Sequence, residues 1–98
     1  MKALLLTQTR VAYTDSSFAE IVVREVSRPL ESSAHSYKYR LAFVVDGVCV
    51  LRYDNESGKG DRRHTLDREA RYRFLSLDRL FAGFDRDIRR FMHEDRNT

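Results

Sequence analysis

Tyr37-Lys38-Tyr39-Arg40-Leu41-Ala42-Phe43-Val44-Val45-Asp46-Gly47-Val48-Cys49-Val50-Leu51-Arg52-Tyr53-Asp54 is the stretch that decides the fold. Two runs rich in β-branched and aromatic residues flank the pair Asp46-Gly47. A two-residue type I′ turn needs positive φ at both central positions, and Asp-Gly meets that need. The turn sets a register. Val45 is expected to face Val48, Phe43 to face Val50, Leu41 to face Arg52 and Tyr39 to face Asp54 on one side of the hairpin. Side chains alternate with period two, so Val44 with Cys49, Ala42 with Leu51, Arg40 with Tyr53 and Lys38 near Asn55 fall on the other. Both faces are apolar near the turn and polar away from it. Chemistry is therefore expected at the far end of the hairpin.

Upstream, the apolar and β-branched residues of 2–13, the turn residues Thr14-Asp15-Ser16-Ser17 and the run Phe18 to Val26 predict a first hairpin. Arg28-Pro29-Leu30-Glu31-Ser32-Ser33 holds the single proline and a polar cluster, and reads as a loop. Downstream, residues 55–70 read as a loop that includes Gly58 and Gly60. Arg71-Tyr72-Arg73-Phe74 is long enough for a short edge strand. Ser76 is placed as an N-cap with Asp78 in the first turn. Leu77, Leu80, Phe81, Phe84, Ile88 and Phe91 then recur at three- and four-residue steps, predicting an amphipathic helix over about 77–93. The expectation is one α+β domain over residues 1–98. Its antiparallel sheet has four to five strands (about 2–13, 18–26, 37–45 and 48–54, with 71–74 as the fifth) in two consecutive hairpins, and the helix packs on one face.

Ninety-eight residues, 42 % of them hydrophobic, suffice to bury a single core without disulfide or structural metal. Cys49 lies in an apolar run and is expected to be a buried, reduced thiol. Met1-Lys2-Ala3-Leu4-Leu5-Leu6 is too short an apolar stretch for a signal peptide or a membrane span, and a cytoplasmic location is expected. The net charge is +3. Acids and bases balance over residues 1–58, so the excess lies in 59–98. Only Lys2, Lys38 and Lys59 are lysines, and the remaining cations are arginines. A planar guanidinium suits internal ion pairs as well as RNA or an acidic protein partner. A coding bias toward arginine accounts for the excess equally well.

Residues 55–65 contain no apolar side chain and two glycines, a composition for an exposed loop or for close approach of a ligand. Gly58-Lys59-Gly60-Asp61 lacks the spacing and the Ser or Thr of a P-loop, and Asp54, Glu56 and Asp61 lack the spacing of a calcium loop. His64, Asp61 and Asp54 together are a conceivable metal set, though such side chains in a charged loop are more often solvated. No metal or cofactor is expected. Metal-free cleavage of RNA needs a base for the 2′-hydroxyl, an acid for the leaving oxygen and fixed cations for the phosphorane. His64 or His35 can serve as base or acid. Lys38, Arg40, Lys59, Arg62 and Arg63 can hold phosphate, while Tyr37, Tyr39 and Tyr53 can stack bases. The plainer alternative makes Lys38 and Arg40 solvated partners of nearby acids.

The block His35-Ser36-Tyr37-Lys38-Tyr39-Arg40-Leu41-Ala42-Phe43, Arg52-Tyr53-Asp54-Asn55-Glu56 and Gly58-Lys59-Gly60-Asp61-Arg62-Arg63-His64 resembles the TumE family of toxins from bacterial type II toxin-antitoxin systems. The likeness weakens through Tyr72-Arg73-Phe74 into the helix. In one respect this chain departs from the family, whose members read Gly-Lys-Gly-Asp-His-Arg-His: Arg62 stands where the first His would be. The resemblance implies a growth-inhibiting toxin neutralised by a cognate protein antitoxin. Small toxins with a compact antiparallel sheet and helix mostly act on RNA, so a ribonuclease is the activity expected by analogy. On that expectation His64, Lys59, Asp61 and Asp54 are candidate catalytic residues, and Lys38, Arg40, Tyr53, Asn55, Arg62, Arg63 and His35 candidate substrate-binding residues. RNA is the expected substrate and no membrane partner is expected. A homo-oligomer stays open. The rival readings are a non-catalytic inhibitory module that binds RNA or protein, and an enzyme that transfers nucleotides.

Overall fold

The computed structural model describes residues 3–30, 34–56 and 58–96. The chain runs through six strands, β1 (Ala3–Thr14), β2 (Ser17–Val26), β3 (Tyr37–Val45), β4 (Val48–Glu56), β5 (Gly60–Thr65) and β6 (Glu69–Arg71), into one helix, α1 (Leu77–Arg96). Each strand pairs antiparallel with the next, giving one open meander in the order β1 to β6. This is the expected α+β architecture with more strands. The expected loop over 55–70 is instead the end of β4, a turn at Gly58, the whole of β5 and most of β6. The short strand expected over 71–74 is centred earlier, at Glu69–Arg71. Within the proline loop, Glu31, Ser32 and Ser33 lie outside the described residues, as does Ser57.

Asp46 and Gly47 form the β3–β4 turn with φ of 51° and 79°, the backbone that their chemistry favours. The expected register holds only for the first two pairs, Val45 with Val48 and Val44 with Cys49. Phe43 then faces Leu51 rather than Val50, Leu41 faces Tyr53, Ala42 faces Arg52 and Arg40 faces Asp54. Val50 is the extra residue of a β-bulge, and every later side chain of β4 changes face. Desolvation explains the direction of the shift. Leu41 and Tyr39 lie on the face that the helix covers, where they are almost fully buried. An unshifted register would put Arg52 and Asp54 beside them, under the helix, and burying those charges costs several kcal/mol on the order of the usual ionic desolvation penalty. The bulge sends Leu51, Tyr53 and Asn55 to that face instead.

Ser76 caps the helix, its Oγ accepting from Arg79 N at 3.1 Å, and Asp78 sits in the first turn. Leu80, Phe84 and Ile88 are buried against Ala19, Val23, Tyr39, Leu41, Phe43, Leu51 and Tyr53. Phe43 makes edge-to-face contacts with Tyr13 and Phe91, at 5.5 and 5.9 Å between ring centroids. Among the described residues no helix lies over the opposite face of the sheet. Cys49 shares that uncovered face with Val44 and is exposed, not buried as expected for its apolar run.

Truncating Leu80 to Ala removes a side chain with no exposure and is expected to cost about 2–5 kcal/mol. The same change at the exposed Leu75 is expected to stay within about 0.5 kcal/mol. Urea unfolding of both variants measures the difference, and equal losses would mean that the helix is not docked as described.

Candidate active site on the open face of the sheet

The β4 bulge also fixes what β5 presents, because β5 is read off β4. Arg52 pairs with His64 and Asp54 with Arg62 on the open face, while Tyr53 with Arg63 and Asn55 with Asp61 lie on the helix face. The sequence candidates are thereby divided. His64, Asp54, Arg62, Arg40 and Lys38 share the open face. Asp61, His35, Tyr53, Asn55 and Arg63 belong to the other, and Lys59 sits in the turn between β4 and β5. Asp61 cannot share a proton or a metal ion directly with His64, since the pleat turns adjacent residues to opposite sides. Among the described residues no three His, Cys, Asp or Glu side chains converge as metal ligands.

On the open face, His64 Nε2 lies 3.2 Å from Asp54 Oδ1. Beside a carboxylate that nitrogen carries the proton, so in the neutral ring Nδ1 holds the lone pair. Nδ1 makes no hydrogen bond to any described residue. Asp54 is only 7 % exposed. Its other oxygen, Oδ2, lies 3.0 Å from Arg52 Nε in ion-pair contact, and Arg40 and Arg62 flank it across the sheet. Arg52 and Arg62 both carry a buried Nε without a hydrogen-bond acceptor among the described residues. Arg62 lies 3.8 Å from Glu69, a loose pairing at best. Lys38, Arg40 and Arg71 are exposed and make no ion pair with a described residue. The face thus combines an oriented imidazole with a field of cations.

The helix-face candidates are tied into the fold. Asn55 is almost fully buried; its Oδ1 accepts from Tyr39 N at 3.0 Å and its Nδ2 donates to Tyr37 O at 2.7 Å. It holds the β4 end against β3 where the ladder runs out. Asp61 Oδ2 accepts from Tyr39 Oη at 2.7 Å and meets His35 Nε2 at 2.7 Å. His35 Nδ1 accepts from Tyr37 N at 3.2 Å, so both ring nitrogens are occupied. Its ring stacks on Phe74 with centroids 3.8 Å apart. Burial, and then the hydrogen bond to Asp61, push the Tyr39 hydroxyl far above its ordinary value. Tyr39 stays a donor.

Tyr53 donates to Asp87 of α1, and Arg63 Nε reaches the same carboxylate oxygen at 2.9 Å and Tyr53 Oη at 3.2 Å. Burial alone would lower the Arg63 pKa, but Asp87 outweighs it and raises it. Arg63 therefore clamps helix to sheet and is not offered to a phosphate. Sequence reasoning passed over Arg52, Arg71, Arg73, Phe74 and Asp87. The one signal for the first four was polar-aromatic alternation with period two, and Asp87 carried none beyond its helix position.

Nearly the whole chain, residues 3–92, matches a family model described as Toxin TumE. No match is found among curated proteins or among solved structures. Among the described residues no helix is long and apolar enough to cross a membrane.

Burial, followed by the hydrogen bond and charge of Asp87, pushes the Tyr53 hydroxyl up to about 12 from 10.0. Because the folded value is the higher one, the protonated hydroxyl's contribution to stability is intact below pH 10 and is lost as pH rises through about 12. In the tyrosinate absorbance at 295 nm, Tyr53→Phe should remove one tyrosine's share of the rise near pH 12, and Asp87→Asn should move that share to lower pH. A Tyr53 step at the ordinary value would disprove the Tyr53–Asp87–Arg63 arrangement.

Proposed function

Since this chain belongs to the TumE toxin family, we propose that it arrests growth by cleaving RNA without a metal ion, as the toxin of a type II system whose protein antitoxin binds it directly. The observation that carries the reading is His64. Its Nε2 side is held by Asp54 and its Nδ1 makes no hydrogen bond to a described residue, on a face where its cross-strand neighbours are Arg52 and Glu69 and where Arg40, Arg62 and Arg71 also lie. That is the arrangement of a general base with an orienting carboxylate, on a surface suited to polyanions.

In the proposed reaction His64 Nδ1 takes the proton of an RNA 2′-hydroxyl. The 2′-oxygen forms a bond to phosphorus and the P–O5′ bond breaks, leaving a 2′,3′-cyclic phosphate and a 5′-oxygen. Water protonates the departing 5′-oxygen, and the imidazolium then returns its proton to the hydroxide so formed. Asp54 stabilises that imidazolium and fixes its tautomer. Arg52, opposite His64 on β4, and Arg62, two residues from it on β5, are the cations that the pairing places nearest His64, with Arg40 beyond them on β3, and their charge is what stabilises the phosphorane. Lys38 and Lys59, farther along the face and at the turn, contact neighbouring phosphates.

His64→Ala is expected to lower RNA cleavage by about 10²–10⁴-fold, the usual contribution of a general base, with unchanged circular dichroism and with relief of growth arrest in cells. Asp54→Asn should lose less, and Lys59→Ala should weaken RNA affinity and toxicity without removing the reaction. Fragments of total RNA should form in the presence of EDTA. Cleavage abolished by EDTA would replace this chemistry with a metal reaction, RNA bound tightly but left intact would replace it with an inhibitory binding module, and label transferred from a nucleoside triphosphate would replace it with nucleotide transfer.

A further inference from the structure

Where β4 turns into β5, a cleft of about 620 Å³ opens between that turn, the start of β5 and the segment 71–74. Its walls include Lys59, Arg62, Arg71 and Arg73, with His35 and Phe74 behind them. Four cations face this cleft and one carboxylate, Asp61, which turns inward to Tyr39 and His35. The one ion pair of Lys59 among the described residues, with the exposed Glu56 at 3.6 Å, is weak competition for a ligand. Gly58 and Gly60 have φ of 84° and 74° and carry no side chain to screen the turn backbone from a ligand.

The aromatic wall is fixed in place. Phe74 stacks on His35, and that ring is held at both nitrogens by Asp61 and Tyr37 N. Two of the cations are shared with the reaction surface: Arg62 and Arg71 are cross-strand partners on the open face and also wall the cleft. Arg62 lies two residues from His64 along β5, a rise of about 7 Å. A strand crossing His64 can therefore continue past Arg62 into the cleft.

We infer that this cleft takes one unstacked nucleotide of a single-stranded RNA next to the bond cut at His64, its base against Phe74 and its phosphate among Arg62, Arg71 and Arg73. Fixed aromatic rings beside a cationic track are the chemistry that single-stranded nucleic acid recognises, and the bases of an A-form duplex are not free to reach a recessed ring. The inference rests on the RNA-cleaving reading of the open face and adds to it the strand state of the substrate and the path of the chain.

The test uses the full chain with His64→Ala, so that bound RNA stays intact, and the anisotropy of a fluorescein-labelled single-stranded oligonucleotide with its duplex as comparison. Arg71→Ala with Arg73→Ala, both at exposed positions, should weaken single-strand binding by tenfold or more. It should also make the plot of log affinity against log salt shallower by about 0.7 for the one phosphate released. Phe74→Leu should weaken it by roughly 5- to 150-fold, the loss of one base stack, with folding checked by thermal denaturation. The duplex should bind more weakly than the single strand and respond little to Phe74→Leu. Single-strand affinity and salt slope unchanged in the double variant would overturn the inference, as would a duplex bound as tightly as the single strand. In chains that keep His64, full cleavage efficiency in the Arg71/Arg73 double variant overturns the cleft alone, whereas single-strand binding that depends on the cleft without any cleavage overturns the reaction alone.

Discussion

Desolvation of charge under the helix is the constraint on which the rest of this molecule depends. The sheet has one covered face and one open one, and β4 carries Arg52 and Asp54 two residues apart, with Tyr53 between them. One of these alternating sets has to lie beneath α1. With Leu41 and Phe43 fixed inward by β3, only a register shift lets Tyr53 and Leu51 join them. The bulge at Val50 supplies it. Because β5 pairs with β4, the same shift turns His64 and Arg62 outward and Asp61 and Arg63 inward. The composition of the open face follows from how the core is filled.

The polar residues that do lie inward are each matched. Tyr53, Arg63 and Asp87 satisfy one another across the helix–sheet junction, and Asp61 accepts from two partners that are themselves fixed, Tyr39 and His35. Breaking either group leaves a partly buried charge or donor without its partner, which is why removing one member costs more than the pair contributes. These networks hold β5 rigid from beneath. His64 on the upper side of the same strand is thereby positioned from the covered face.

Some of this was legible in the sequence. Asp46-Gly47 specified its turn, Ser76 its cap and the aromatic spacing of α1 its buried stripe, since each is a local relation between residue type and backbone geometry. β5 was hidden because Gly60-Asp61-Arg62-Arg63-His64-Thr65 has no apolar residue on either face, so the period that reveals a strand is absent. The bulge was hidden for the opposite reason. Val48, Cys49, Val50 and Leu51 are all apolar, and nothing local says which of them is the extra residue. His64 was expected to work with Asp61 or Asp54, and the bulge is what decides for Asp54 by leaving Asp61 on the other face. The hairpin expected from the turn alone would have put Asp54 beside Tyr39 on the helix face.

The resemblance puts Arg62 where a histidine is expected, and its surroundings say what such an exchange does. It faces Asp54 on one side and Arg71 on the other, on the same face as His64. A histidine there would share the Asp54 carboxylate with His64, and the two rings would compete for one orienting group. An arginine leaves Asp54 to His64 and replaces a group that titrates near neutrality by one that stays charged. The face then has one histidine and a fixed cation beside it. Of the two histidines closest to this segment, His35 has both nitrogens committed on the helix face, and His64 is the one presented on the open face. On the RNA-cleaving reading proposed above, the open face offers no second histidine among the described residues, and the leaving oxygen would take its proton from the solvent that the uncovered sheet admits.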